Sequence, residues 1–209
     1  MSLVTTWGYT ITDASSLEDM LTENEFNVFT ANKYAGDARI PANIKAASDA
    51  IRNYCGWHIS QAHACSFSER LLYGNGSIKR CGADFLVQLP ATYVQAVSSV
   101  TFGGKAWTDF AIEQNGLLRL FDVFDRADKR TEIVVLYTAG LPDALMASIK
   151  ELIAHRVTHA LASSAGVQSE TAGGVSVTYS SNWINSARST ALADDNKEVL
   201  APYKVRGVF

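Results

Sequence analysis

An α+β fold is what this chain predicts, and three observations carry the prediction. Apolar residues recur at helical spacing up to Gly56, alternate with a period of two from Ile59 to Tyr137, and return to helical spacing after Pro142. The plan is helices, an inserted antiparallel β-meander, a long helix, an arm and a short helical tail. The segments divide at 1–58, 59–138, 139–166 and 167–209.

The opening reads as irregular as far as Ser15 or Ser16, either of which can cap a helix carrying Leu17, Met20 and Leu21, with Glu18 and Asp19 in its first turn. Thr22, three residues before Glu25, predicts a capping box for a second helix with Phe26, Val28 and Phe29. NKYAGDAR is a loop. Pro41 suits the first turn of a third helix, and Ile44, Ala47, Ile51 and Tyr54 form its apolar face. Ala46, Ala47 and Ala50 admit a close neighbour. Gly56 ends this helix as a left-handed cap.

In the β block, Phe85, Val87 and Leu89 alternate, as do Val94 and Ala96 and, after an irregular step, Val100 and Phe102. Gly103-Gly104 predicts a hairpin returning through Ala106 and Trp107, and Asn115-Gly116 predicts one joining FAIEQ to LLRLF. Asn75-Gly76 marks a turn between SERLLY and SIKR. Ile133, Val135 and Tyr137 form one face of a final strand. Pro142 then opens a helix of about twenty residues bearing Leu145, Ile149, Leu152, Ile153, Arg156, Val157 and Leu161, a common length for one packed helix. SSAGVQSETAGG has the composition of a flexible loop, GVSVTYS alternates like a β-arm, and residues 191–200 make a last short helix.

Composition bounds the function. Of 209 residues, 47% are hydrophobic and 19% charged, as in ordinary folded proteins. A net charge of -3 and a pI near 5.8 argue against gripping nucleic acid through its phosphates, while allowing DNA to slide past. No apolar run is long enough to span a bilayer, and MSLVTTWGYT lacks the features of a signal peptide. Cys55, Cys65 and Cys81 are an odd set, which argues against a disulfide framework and for a reducing cytoplasm.

No catalytic constellation stands out. Cys55, His58, His63 and Cys65 are zinc-type ligands, but His63-x-Cys65 is too tight for a common knuckle, so buried or incidental residues are the favoured reading. His155 and His159 share a helix face at i, i+4, yet the residues between them are Arg156, Val157 and Thr158, and the glutamate base of HExxH hydrolases is missing. Asp122, Asp125 and Asp128 lack the glycine and closing glutamate of a calcium loop. No nucleophile elbow, Walker loop or dinucleotide fingerprint is present. The chain therefore reads as a non-enzyme without cofactor or metal. A metal-dependent hydrolase built on His155, His159 or the Cys55–Cys65 cluster is the rival of a different class.

Partner binding is the positive expectation. LAPYKVRGVF places Tyr203, Val205, Val208 and Phe209 beside Lys204 and Arg206, an apolar cationic stretch where chain termini are commonly polar and frayed. Trp183, in the polar stretch SSNWINSAR, is a candidate interface anchor, whereas Trp57, following a helix cap, is expected to pack under the sheet.

Taken in order, several segments resemble the head–tail connector (head-completion or adaptor) proteins of long-tailed bacteriophages and prophages. IKAASDAIRNYCGWHIS resembles their alanine-rich helix and turn, and LPATYVQAVSSVTFGGKAW their leucine-proline strand pair. VVLYTAGLPDALMASIKELIAHRV resembles their strand, turn and long helix, and LAPYKVRGVF their closing segment. The resemblance covers most of the chain from about Leu17. It implies a small helical bundle with a β-rich insertion, longer here than is usual. It also implies a ring, usually of twelve copies, beneath the portal protein at the head–tail junction of a virion assembled in the bacterial cytoplasm. Such a ring extends the DNA conduit and presents a surface to the stopper or tail-completion protein, and DNA passes through without specific binding. A tail-completion or stopper subunit of the same virion is the alternative. On this view Tyr203, Lys204, Val205, Arg206, Val208 and Phe209 order on docking to the portal.

Overall fold

The computed structural model describes residues 2–70, 77–123, 131–162, 169–172, 175–178, 192 and 194–205. The chain forms two compact units. One contains residues 1–17, 55–142 and 203–209, and the other residues 18–54 and 143–202.

The first unit is built on β-strands. A six-stranded antiparallel sheet has the order β1 (Leu3–Val4), β2 (Tyr9–Ile11), β3 (His63–Arg70), β10 (Glu132–Ala139), β6 (Val94–Phe102) and β7 (Lys105–Trp107). A four-stranded sheet has the order β4 (Ile78–Cys81), β5 (Asp84–Gln88), β9 (Leu117–Leu120) and β8 (Phe110–Ile112). Two findings depart from the sequence reading. The opening residues are not irregular, since β2 pairs with β3, setting Tyr9 against Phe67 and Ile11 against Cys65. The strands are not a meander either. β3 and β4, on either side of Asn75-Gly76, lie in different sheets, and β10 returns to fill the gap between β3 and β6. Alternation fixes which face of a strand is buried but not which strand it pairs with.

β10 is central, and its Ile133, Val135, Tyr137 and Ala139 are all buried. The irregular step in β6 is a bulge, which shifts the register between Leu136 and Tyr137 and places Val97, not Ser98, opposite Tyr137. Both predicted hairpins form. β6 turns into β7 at Gly103-Gly104, and β8 turns into β9 through a 3-10 turn at Gln114–Gly116. Gly140, after β10, is a site of close approach. A Cβ there would lie 2.4 Å from the Ala62 backbone, so only glycine fits.

The second unit is helical. Among its described residues are α1 (Glu23–Phe29), α2 (Ile40–Cys55, its last residue already in the first unit), α3 (Asp143–Ala162) and α4 (Asp194–Leu200). The Thr22 capping box is present in full: Thr22 Oγ1 accepts from the Glu25 amide at 3.2 Å, and Glu25 Oε2 accepts from the Thr22 amide at 2.8 Å. α2 buries Ile40, Ile44, Ala47 and Ile51, and α3 buries Met146, Ile149, Ile153, Val157 and Leu161. Lys150 on α3 pairs with Glu25 on α1.

The helix expected over residues 17–21 does not form. Its polar backbone groups bond instead to side chains of α2: the Met20 amide donates to Ser48 Oγ at 3.2 Å, and the buried Arg52 donates to the Glu18 carbonyl. Met20 and Leu21 are still buried. The stretch expected to be all loop contains β11 (Ser169–Ala172), which pairs with the predicted arm strand β12 (Val175–Thr178).

Candidate partner-binding segment

The segment leading to the C-terminal residues is fixed by its own chain as far as Val205. α4 ends at the buried Leu200, and a 3-10 turn over Ala201–Tyr203 follows, with Pro202 inside it. The receiving site is made where α2 ends. Gly56, at φ 77°, adopts the left-handed conformation that terminates the helix and turns the chain into Trp57. Trp57 is fully buried, and its Nε1 donates to the Tyr203 carbonyl at 2.7 Å. Thr92 Oγ1 donates to the same carbonyl at 3.3 Å. Trp57 stacks on Tyr93 with ring centroids 6.4 Å apart, and Tyr93 meets Tyr203 at 6.0 Å. The Val205 amide then donates to the Cys55 carbonyl at 2.9 Å.

Tyr203 is therefore buried within its own unit, at 9% exposure. This corrects the expectation that it orders only on docking, because its carbonyl has two donors and its ring an aromatic neighbour before any partner arrives. Burial, then Tyr93 and Cys55, push its hydroxyl pKa up. Burial also pushes the Cys55 thiol up to about 12, against the opposing pull of the Lys204 ammonium. Lys204 is exposed and Val205 half-buried. Of the other predicted binding residues, Trp183, Arg206, Val208 and Phe209 lie outside the described residues.

The Cys/His cluster is occupied by protein partners. His58, fully buried, has Nδ1 2.6 Å from the Tyr9 hydroxyl and Nε2 3.0 Å from the Ala139 carbonyl. His63 Nδ1 is 3.1 Å from Asp13 Oδ1, and the second Asp13 oxygen accepts from the Ala64 amide at 2.9 Å. Burial raises the Asp13 carboxyl pKa, but the Ala64 amide and His63 outweigh it and hold the group below the usual range. Burial pushes the Cys65 thiol up to about 12. Among the described residues, no group of three or more His, Cys, Asp or Glu is placed to hold a metal ion.

On α3, His155 is exposed, 3.7 Å from Glu151 and edge-on to Phe29, and His159 is half-buried. Burial and then His155 lower the His159 pKa. The Asp122 amide donates to Asp84, while Asp125 and Asp128 lie outside the described residues. No helix among the described residues is long and apolar enough to cross a membrane.

Sequence reasoning singled out Tyr203, Lys204 and Val205 but missed the residues that receive them, Trp57, Thr92 and the Cys55 carbonyl. The one signal for them was the helix-stop Gly56 with a tryptophan directly after it.

No curated protein matches the chain. A family model described as "Head completion protein" matches residues 19–189, which is well over half of the sequence and leaves the C-terminal segment outside the match. The chain thus belongs to the head completion protein family, structural proteins of bacteriophage virion assembly.

Proposed function

We propose that this head completion protein is a connector subunit that forms a ring beneath the portal, extends the DNA conduit and links capsid to tail. Residues 204–209 are its docking element. The supporting observation is the anchor at the end of α2. Trp57 and Thr92 hold the Tyr203 carbonyl, and Cys55 holds the Val205 amide, so the cationic, apolar run that begins at Lys204 starts from a fixed point in the first unit. Pre-ordering its base lowers the entropy lost on docking, which is about 1–2 kcal/mol for each residue fixed. Buried Val208 and Phe209 would contribute about 1.5–3 kcal/mol each, enough to offset ordering of the last four residues in part, with Arg206 and Lys204 pairing with acids on the portal.

The ring is read as a closed set of heterologous contacts, each copy meeting a different patch on the next. A net charge of -3 favours a conduit through which DNA moves without sticking. The role is structural, with no catalytic step.

The test is truncation after Val205. Removing Tyr203 as well would delete the anchor and confuse docking with folding. The shortened protein is expected to keep its thermal unfolding profile and lose capture by portal rings. Undiminished portal binding refutes the docking role. Capture by tail-side proteins with indifference to the portal favours a stopper or tail-completion subunit, and stoichiometric zinc in the purified protein revives the hydrolase.

A further inference from the structure

The four-stranded sheet ends at β8, and among the described residues no strand pairs with its outer edge. The ladder fixes which groups lie on that edge. β8 and β9 pair antiparallel with Ala111 opposite Arg119. On either side, the Phe121 amide donates to the Asp109 carbonyl at 3.1 Å and the Glu113 amide donates to the Leu117 carbonyl at 2.7 Å. Asp109, Ala111 and Glu113 therefore turn their backbone groups toward β9. Alternation turns the N–H and C=O of Phe110 and Ile112 the other way, off the sheet, where no described residue bonds to them.

The side chains of Phe110 and Ile112 lie on the face that carries Leu120 and Leu118, both fully buried. Phe110 is half-buried, and Ile112 is 41% exposed. An apolar layer thus reaches solvent at an open sheet edge.

The other edges are guarded. β4 carries exposed Lys79 and Arg80, β7 opens with exposed Lys105, and β1 is only two residues long. Lysine and shortness are ordinary means of keeping foreign strands off a sheet. β8 has neither a charge nor a proline within Phe110–Ile112. Its charges flank it, with exposed Asp109 before and exposed Glu113 after, both alternating to the face opposite Ile112.

We infer that β8 receives an extended segment of a partner protein as a fifth strand, with aliphatic residues opposite Phe110 and Ile112 and a basic residue opposite Asp109. The main chain of that segment bonds to the outward groups of Phe110 and Ile112, and its aliphatic side chains cover Ile112. Main-chain bonds supply affinity in this mode, and alternate side chains supply selectivity. The charge requirement falls on Asp109. Glu113 already has Arg119 at 2.7 Å, whereas Asp109 makes no ion pair with a described residue. Its backbone is fixed, because its carbonyl accepts from Trp107 Nε1 at 2.9 Å as well as from the Phe121 amide. A second copy of β8 fits less well. Antiparallel self-pairing that engages every outward group of β8 sets Phe110 against Ile112 and Asp109 against Glu113, and like charges directly opposite are destabilising. This surface is distinct from residues 204–209 and does not rest on their docking role.

The experiment is fluorescence anisotropy of labelled synthetic peptides with the full chain, in about 0.15 M salt, where lone surface attractions are screened. The probe is GRVTVRG, which reads the same in both directions. Saturable binding is expected. Its charge-reversed counterpart GEVTVEG, and GRVTVRG with both valine amides methylated, should each bind at least about tenfold more weakly. Ile112→Pro removes an N–H that β9 does not use, so the variant should keep its unfolding midpoint and lose GRVTVRG by a similar factor. Asp109→Lys should prefer GEVTVEG to GRVTVRG, and it carries the test if Ile112→Pro fails to fold. No saturable binding of GRVTVRG, equal binding of the methylated peptide, or undiminished binding to Ile112→Pro overturns the inference. A dimer seen by sedimentation in the unaltered protein and lost in Ile112→Pro overturns the choice of occupant in favour of a second copy.

Discussion

Replacing Trp57 with phenylalanine tests the anchor directly. The substitution removes the Nε1–H that donates to the Tyr203 carbonyl at 2.7 Å and leaves that carbonyl with the longer Thr92 bond at 3.3 Å. A buried hydrogen bond of this kind is worth about 1 kcal/mol net. Shrinking a fully buried bicyclic ring to a single one also opens a cavity, which costs about 1–3 kcal/mol, below the range for truncation to alanine. The loss should total about 2–4 kcal/mol, a large share of the 5–15 kcal/mol typical of a folded protein. Urea unfolding followed by far-ultraviolet circular dichroism measures it without relying on tryptophan emission. Thr92→Val, which removes only the weaker donor, should cost no more than about 1 kcal/mol. A loss below about 0.5 kcal/mol for Trp57→Phe, or a larger loss for Thr92→Val, would refute the assignment of Trp57 as the principal anchor.

Three further outcomes are expected from other parts of the fold. Gly140→Ala places a Cβ 2.4 Å from the Ala62 backbone and should destabilise the protein by more than about 4 kcal/mol, visible as loss of soluble folded protein or a collapsed unfolding midpoint. The Asp13 carboxylate is held below its usual range, so its contribution is present above about pH 4 and is lost as pH falls through the lowered value; Asp13→Asn should flatten the acid limb of a stability-against-pH curve, and an unchanged limb would contradict the pairing with Ala64 and His63. Cys81 is exposed while Cys55 and Cys65 are buried with thiols pushed up to about 12, so a thiol reagent should label one cysteine quickly in the native protein and all three only after denaturation.

What could be read in advance was local. The Thr22 capping box, the Gly56 helix stop, the hairpin turns at Gly103-Gly104 and Asn115-Gly116, and the long helix after Pro142 each depend on neighbours within a few residues, and each forms as its residue types dictate. What could not be read was long-range. Nothing in the spacing of Ile133, Val135 and Tyr137 says that β10 lies between β3 and β6. The helical pattern at Leu17, Met20 and Leu21 yields to Ser48 and Arg52, which bond that backbone from about thirty residues away in sequence. The C-terminal segment was recognisable from its apolar, cationic make-up. The pocket for Tyr203 was not, since its parts come from positions 55–57 and 92–93 and meet only when the sheet is assembled. His58 was weighed as a metal ligand, yet its nitrogens serve Tyr9 and Ala139, which lie 49 and 81 residues distant.

Because the Val205 amide is tied to the Cys55 carbonyl, covalent geometry sets the point from which the residues after it start. Four residues span at most about 14 Å when fully stretched, so a partner that engages position 209 has to come within about that distance of Val205. A surface that receives these residues has to come to that spot. Short tethers of this sort make recognition a gauge of position as much as of chemistry.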